Sequence, residues 1–189
     1  MKKIIIAMAL SCMGVLTTTI QAQKVRLENS NQIVLELSTT AGMPAGAVTT
    51  APKAFPLTPP PTNNGTWSSD NMTNGLFNQT VYHRLEIAPT DSGSYMDWAA
   101  AVIHCRSTTI NGSSGWRLPT QRELMYMWIF RDPINTLSIP LGGTSFSSNY
   151  YWSSTEDYGT FAWIVFFPNG DTYLSYKTST NLVRCVREL

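Results

Sequence analysis

The sequence predicts a fold that mixes helices with strands, an α+β fold, and three observations support it. Residues 94–105 place apolar side chains three, four and seven positions apart, which is the spacing of one helix face. Thr120 and Glu123 have the T-x-x-E spacing of a capping box, which begins a second helix. The last 40 residues alternate short apolar runs with turn residues, and that pattern is typical of strands.

Two helices are expected, each with one apolar face. The first should run from Ser94, as its N-cap, to Cys105, and the second should follow Thr120. Segments 106–115 and 132–149 are predicted to be loops, since Gly, Ser, Thr, Asn and Pro are frequent in them. The apolar faces are Met96, Ala99, Ala100 and Ile103 in the first helix, and Leu124, Met127 and Trp128 in the second.

Six strands are predicted, with a hairpin turn at residues 168–171 in which Asn169-Gly170 supplies positive φ values. Both faces of the run Thr160–Phe167 are apolar. One face must line a core, and the other either packs on a further layer or is an exposed patch. The predicted strands are Gln32–Leu37, Val81–Ala88, Tyr150–Thr155, Thr160–Phe167, Thr172–Lys177 and Leu182–Leu189.

The chain is expected to have three parts. Residues 1–22 begin with positive charge and continue in an apolar run too short to span a bilayer, which is typical of a cleaved secretory signal. The alternative is a lipoprotein signal that uses Cys12. Residues 23–66 are predicted to hold one strand and a linker rich in Thr and Pro. Residues 67–189 are predicted to form the globular domain, exported to the periplasm, the cell surface or the medium.

Charge and cysteine content narrow the function classes. Removal of Lys2 and Lys3 leaves 11 basic residues (13 − 2 = 11) against 12 acidic ones, so nucleic acid is not an expected partner. No transmembrane helix is expected beyond the signal. Cys105 and Cys185 also remain, and an even pair in an exported chain predicts a disulfide worth roughly 4–5 kcal/mol. The alternative is two free buried thiols.

Enzyme motifs are lacking in the sequence. There is no HExxH, CxxC, P-loop, GxGxxG or GxSxG motif, and His83 and His104 lie on separate elements. Glu156, Asp157, Asn169 and Asp171 could supply some calcium ligands, but without a spaced motif. We therefore expect no enzyme activity, no metal site and no cofactor.

The segment 157–181 has the composition of a binding surface. It mixes Tyr, Phe and Trp with small polar residues, as antibody paratopes do. The alternative is an ordinary two-sided sheet. The candidate ligand-binding residues are Asp157, Tyr158, Thr160, Phe161, Ile164, Phe166, Asn169, Tyr173, Ser175, Tyr176, Ser179 and Asn181.

Five motifs follow one another along the chain: DWAAAVIHC, GWRLPTQREL, YYWSSTE, FAWIVFFPNG and VRCVREL. Together they resemble the Lcl C-terminal domain family of the C-type-lectin-like superfamily, over about residues 80–189. The resemblance implies two helices flanking a short antiparallel sheet, with Cys105 paired to Cys185. We expect Trp98, Trp116, Trp152 and Trp163 to lie in the core. The resemblance also implies that several motif residues form the scaffold. These are Trp116, Arg117, Leu118, Pro119, Thr120, Glu123, Trp152, Trp163, Gly170 and Arg184.

The GWRLPT motif at residues 115–120, which we call the GWRLP corner, also occurs in formylglycine-generating enzymes. This chain has no spare cysteine pair for their chemistry. It also lacks the EPN, QPD and WND triplets of calcium-dependent lectins. The C-terminal block further resembles variable regions that retroelements diversify. The resemblance thus implies an adhesin or receptor-like module that binds a protein or glycan. Two alternative functions stay open. One is a structural subunit of a surface appendage that uses strand Gln32–Leu37 for partner contacts, and the other is an enzyme related to formylglycine-generating proteins.

Overall fold

A computed structural model describes residues 24–37, 47–53, 55–56, 62–67 and 80–189. The expected signal at residues 1–22 lies outside this part of the chain. The strands are β1 (Val25–Glu28), β2 (Gln32–Glu36), β3 (Val48–Thr49), β4 (Val81–Tyr82), β5 (Arg84–Ile87), β6 (Tyr150–Asp157), β7 (Phe161–Phe166), β8 (Asp171–Tyr176) and β9 (Val186–Glu188). The helices are α1 (Trp98–Ser107), α2 (Gln121–Ile129), α3 (Arg131–Ser138) and a 3₁₀ turn, Ile139–Leu141. The fold is α+β, as the sequence predicts. None of its described helices is both long and apolar enough to cross a membrane.

The first sheet joins the first two described strands to β5 and to the last strand, in the order β1-β2-β5-β9. Strand β2 pairs antiparallel with β1 on one side and with β5 on the other, and Ile33 and Leu35 are buried. The sheet therefore extends across the boundary expected near residue 66. Since both edges of β2 are already paired, the strand that the appendage alternative assigned to partner contacts lies inside the sheet.

The second sheet contains β6, β7 and β8 in that order, all antiparallel. The register places Trp152 opposite Ile164 and Ile164 opposite Tyr173, while Tyr151 lies opposite Val165. Because side chains alternate along a strand, this register divides the sheet into two faces. Both faces of β7 are packed in its middle, so of the two alternatives left open for this strand the further layer is present.

Helix α1 begins later than predicted. Asp97, not Ser94, is its N-cap, and its carboxylate accepts from the backbone N–H of Ala100 at 2.8 Å. Met96 forms an antiparallel bridge with Asn181, so the chain before Asp97 is extended. The capping box of Thr120 and Glu123 is present at the start of α2 as predicted.

The predicted loop 132–149 is wrong in its first half, because residues 131–141 are helical. Pro133 stands in the first turn of α3, where a missing N–H disrupts no helical hydrogen bond. Ile134 then becomes fully buried in the core.

Two hydrophobic cores flank the second sheet. One contains Tyr151, Val165 and Phe167 together with Leu124 and Met127 of α2. The other contains Trp152, Ala162 and Ile164 and includes α1. Trp98, Trp116 and Trp152 are buried as predicted, but Trp163 is only half-buried. The Cys105–Cys185 disulfide is present, with an S–S distance of 2.02 Å.

The β7–β8 turn requires glycine at one position rather than two residues with positive φ. Gly170 has φ +83°, whereas Asn169 does not have a positive φ. A Cβ on Gly170 would lie 2.6 Å from the indole ring of Trp128. The Trp128 Nε1 donates to the carbonyl of Phe167 at 2.9 Å, which holds the ring over the turn.

We expect Gly170→Ala to lower the free energy of unfolding by about 2–4 kcal/mol, from strained φ and overlap with Trp128. Gly112→Ala is the matched control, since its φ is +75° and its Cβ would meet nothing within 4 Å. Urea denaturation of both variants isolates the overlap with Trp128 as the difference. Equal losses would contradict the packing role of Gly170.

Candidate ligand-binding surface

The β6–β7 hairpin presents Tyr158 at its tip. Tyr158 has φ +52° and a side chain that is 81% exposed. A non-glycine residue in this left-handed region carries strain of about 1 kcal/mol. The next residue, Gly159, lies against the N-terminal segment, by which we mean the described residues 53, 55–56 and 62–67. A Cβ on Gly159 would be 3.2 Å from the backbone nitrogen of Gly65. The tip is therefore held at its base while Tyr158 projects into solvent.

A fully buried ion pair holds the base of this hairpin. The Lys177 ammonium donates to the Glu156 carboxylate, to the carbonyl of Gly65 at 2.9 Å and to that of Gly159 at 3.2 Å. Both side chains are 0% exposed. Glu156 in turn accepts from the backbone N–H of Trp67 at 2.9 Å. The pair thus ties residues 65–67 to the second sheet.

The register assigns the exposed aromatic rings to opposite faces of the sheet. We call the face that carries Trp152 and Ile164 the α1 face, and the face that carries Tyr151 and Val165 the α2 face. On the α1 face, Tyr150 packs against Phe166 and Tyr173, with ring centroids 4.4 and 6.1 Å apart. On the α2 face, Phe161 packs against Tyr176 with centroids 4.3 Å apart.

The twelve candidate ligand-binding residues therefore do not share one surface. Ile164 is 6% exposed in the core, and Asn181 is 7% exposed and bridged to Met96, so a ligand cannot reach either in this structure. The exposed candidates are Tyr158, Thr160, Asn169, Tyr173 and Tyr176. Those that are half-buried are Asp157, Phe161, Phe166, Ser175 and Ser179.

A cavity of about 490 Å³ lies beside the hairpin base, on the side of Tyr176. Asn63, Asn64, Thr160, Tyr176 and Thr178 line it. All five side chains are neutral and carry hydrogen-bonding groups, and the Tyr176 ring is 60% exposed. Sequence reasoning missed Asn63 and Asn64, because the buried ion pair that holds their segment against the sheet joins residues far apart in sequence.

A second cavity, of about 310 Å³, lies where the N-terminal segment crosses the GWRLP corner. Phe55 and Trp67 are stacked at 5.7 Å, and Trp116 and Leu118 are buried beside them. The Arg117 guanidinium lies 5.5 Å from the Phe55 ring centroid. The corner therefore positions the N-terminal segment on the domain.

Arg117, a scaffold residue of the GWRLP corner, binds two carboxylates. It donates to Glu123 at 2.7 Å, to Glu188 at 2.7 Å and to the carbonyl of Leu118 at 3.1 Å. Burial is the largest single effect on the pKa of Glu123 and raises it. The charge and hydrogen bonds of Arg117, with the Lys53 charge and the Thr120 N–H, together outweigh burial and hold this pKa at about 2, against an ordinary 4.5. Burial lowers the pKa of Arg117, but Glu123 and Glu188 together raise it by more. The pKa of Arg117 therefore lies above its ordinary value.

Arg184, another scaffold residue, is fully buried. It donates to Asp91 at 2.7 Å and to the carbonyls of Ala88 and Thr144, each at 3.0 Å. The Tyr151 hydroxyl donates to the same Asp91 carboxylate at 2.6 Å. Burial and the Asp91 charge together raise the pKa of Tyr151.

The structure does not bring the four candidate calcium ligands together. Glu156 is bound to Lys177 at one end of the second sheet, where it lies opposite Ala162. Asp171 lies opposite Phe166 at the other end and accepts from Asn169 and Tyr173. Within the described residues, no three His, Cys, Asp or Glu side chains are grouped as metal ligands would be.

Comparison with known families gives one match. The family model of the Lcl C-terminal domain matches residues 62–187, which include the corner, both helices that flank the second sheet and all three of its strands. A search of the curated proteins finds no significant match.

Glu123 makes stability depend on pH in a defined window. The unfolded carboxyl binds its proton near pH 4.5 and the folded one near 2, so stability falls as the pH falls through this window. We expect a loss of about 3 kcal/mol from this group, measured by urea denaturation between pH 6 and pH 2. Glu123→Gln should show a shallower decline. Identical slopes in the two proteins would contradict the assignment.

Lys177→Met should lower the free energy of unfolding by about 3–5 kcal/mol, because it leaves the Glu156 carboxylate buried without its cation. Lys177→Met with Glu156→Gln should recover part of that loss. Arg131→Met is the control for an exposed ion pair, since Arg131 pairs at 3.9 Å with an Asp132 that is 84% exposed. Because it also removes a hydrogen bond to the Trp128 carbonyl at 3.0 Å, it should cost about 1–2 kcal/mol. An equally small loss for Lys177→Met would show that the ion pair does not hold the hairpin.

Proposed function

The chain belongs to the Lcl C-terminal domain family, and from this premise we propose that it is an exported binding module with a C-type-lectin-like fold. Its ligand is a protein or a glycan, and it binds without catalysis. The disulfide supports export, because such bonds persist in oxidising compartments. The ligand surface consists of the hairpin tip and the adjoining neutral cavity on the side of Tyr176.

Tyr158 is the observation that carries this proposal. Tyr158 is 81% exposed, so its ring gains little burial from the fold, and its backbone has a strained positive φ. Strained backbone of this kind is concentrated at functional sites. A binding partner that buries the ring accounts for both the exposure and the choice of tyrosine, because Tyr is enriched among interface hot spots.

The distribution of exposed apolar side chains supports the same region. Nine large hydrophobic side chains are exposed in the described part of the chain, and four of them lie within residues 158–176. These four are Tyr158, Tyr173, Leu174 and Tyr176. Leu174 and Tyr176 share the α2 face, whereas Tyr173 lies on the α1 face. The pair on the α2 face supports this side of the hairpin, because clustered exposed apolar groups mark interaction sites more often than isolated ones do.

The cavity beside the hairpin sets the chemistry of the ligand. Its lining side chains are amides, hydroxyls and one aromatic ring. These groups exchange hydrogen bonds with hydroxyl or amide groups and offer no charge to an ionic ligand. We therefore expect the bound surface to be uncharged where it enters the cavity. The appendage and enzyme alternatives remain hypotheses without a specific observation in their favour.

Replacement of Tyr158 separates stability from binding. Tyr158→Gly should raise the free energy of unfolding by about 1 kcal/mol, because glycine adopts this φ without strain. The same variant should lose at least tenfold in affinity for a ligand found on glycan or surface-protein arrays, as should Tyr176→Ala. The readouts are urea denaturation and surface plasmon resonance.

Tyr95→Ala is the matched control, because Tyr95 is 52% exposed but lies outside the hairpin surface. Its affinity should stay within twofold of the wild type. If Tyr158→Gly and Tyr176→Ala keep wild-type affinity for every array ligand, the proposed surface is wrong.

A further inference from the structure

Among the described residues, strand β8 has a pairing partner on only one of its two backbone edges. Within the described residues it pairs only with β7, through an unbroken register from Asp171 to Tyr176. The other outer strand of the sheet, β6, is closed by a bridge from Tyr151 to Leu182 and by a hydrogen bond from Ser154 to Pro119. An open strand edge carries backbone N–H and C=O groups that can pair with a further strand.

In the part of the chain that the structure describes, both outer strands of the first sheet are protected, whereas β8 carries no such device. Strand β1 carries an ion-pair network through Arg26 and Glu28. Strand β9 has three residues and is bridged to Arg117. Charge and shortness are two of the devices that keep edges from pairing. From Thr172 to Tyr176, β8 has no charge, no proline and no bulge, and Leu174 is 42% exposed.

We propose that β8 pairs antiparallel with β8 of a second copy of this chain, with Leu174 on the two-fold axis. Two three-stranded sheets then form one six-stranded sheet. A two-fold axis perpendicular to the sheet keeps each face continuous across the pair. Leu174 meets Leu174 of the second copy, Thr172 meets Tyr176, and Tyr173 meets Ser175. Each opposite pair lies on one face, as antiparallel pairing requires.

The position of the only charged residue in β8 selects this arrangement. Asp171 is the first residue of the strand, and its carboxylate already accepts from Asn169 and Tyr173. With Leu174 on the axis, the two Asp171 residues lie about 20 Å apart along the strands, at roughly 3.4 Å per residue. A parallel pair would bring them side by side, and an axis at Tyr173 would shorten the separation to about 14 Å. The inference does not depend on the proposed ligand.

The oligomeric state tests the pairing. We expect the protein to show a concentration-dependent dimer in sedimentation velocity. Leu174→Lys should raise the dimer dissociation constant at least tenfold, because it places two like charges opposite each other on the axis. Ile103→Lys is the control: Ile103 is 44% exposed on α1, away from β8, and its replacement should leave the constant unchanged. A wild-type protein that stays monomeric at millimolar concentration overturns the proposal.

Cysteine cross-linking tests the register and the identity of the partner. Opposite residues in an antiparallel pair have Cα atoms about 4.5–5.5 Å apart, within the roughly 4.4–6.8 Å that a disulfide spans. In a Cys12→Ser background, Leu174→Cys should form a covalent dimer under mild oxidation faster than Tyr173→Cys, whose two copies lie about 7 Å further along the strands. Two outcomes overturn the Leu174-centred pairing. Either Tyr173→Cys cross-links faster than Leu174→Cys, or neither variant cross-links faster than a Tyr158→Cys control.

Discussion

The buried pair of Lys177 and Glu156 is the constraint on which the candidate surface depends. Two charges without solvent contact would destabilise the fold by several kcal/mol unless all their hydrogen-bonding groups were satisfied. The Lys177 ammonium has three acceptors and also lies 4.3 Å from the Trp98 ring centroid. These partners come from the N-terminal segment, α1 and the β6–β7 hairpin. One interaction therefore sets where three separate parts of the chain meet.

A second network performs the same task at the opposite side of the N-terminal segment. Arg117 joins the start of α2 to the last strand through Glu123 and Glu188, while the backbone N–H of Lys53 also donates to Glu188. The N-terminal segment thus contacts the domain at both polar networks and through the hydrogen bonds that Pro56 and Asn63 accept from α1, while Phe55 and Trp67 stack on each other. Such a contact favours one position of the segment, because misplacement would leave buried charges unpaired.

Most features set by nearby residues could be predicted from the sequence, and those set by distant contacts could not. The apolar face expected for the first helix is wrong: Ala100 and Ile103 are exposed, and the helix buries Trp98, Ala99, Ala101, Val102 and Cys105 instead. The capping box of Thr120 and the β6, β7 and β8 strands depend on local pattern, and all were predicted. The start of α1 was missed because Met96 is held in extended form by Asn181, a residue 85 positions away. Glu156 was considered only as a possible calcium ligand, because nothing local indicates that Lys177 lies beside it. The cavity lined by Asn63 and Asn64 depends on the same distant ion pair.

The Cys105–Cys185 disulfide has a mechanical consequence for a protein held at one end and loaded at the other. The bond connects positions separated by 80 residues, and β6, β7 and β8 all lie inside the loop it closes. Tension between the chain ends passes from Cys105 to Cys185 through the sulfur atoms, and does not stretch the residues between them. Under such tension the outer parts of the chain extend first, while the sheet that carries Tyr158 keeps its covalent boundary.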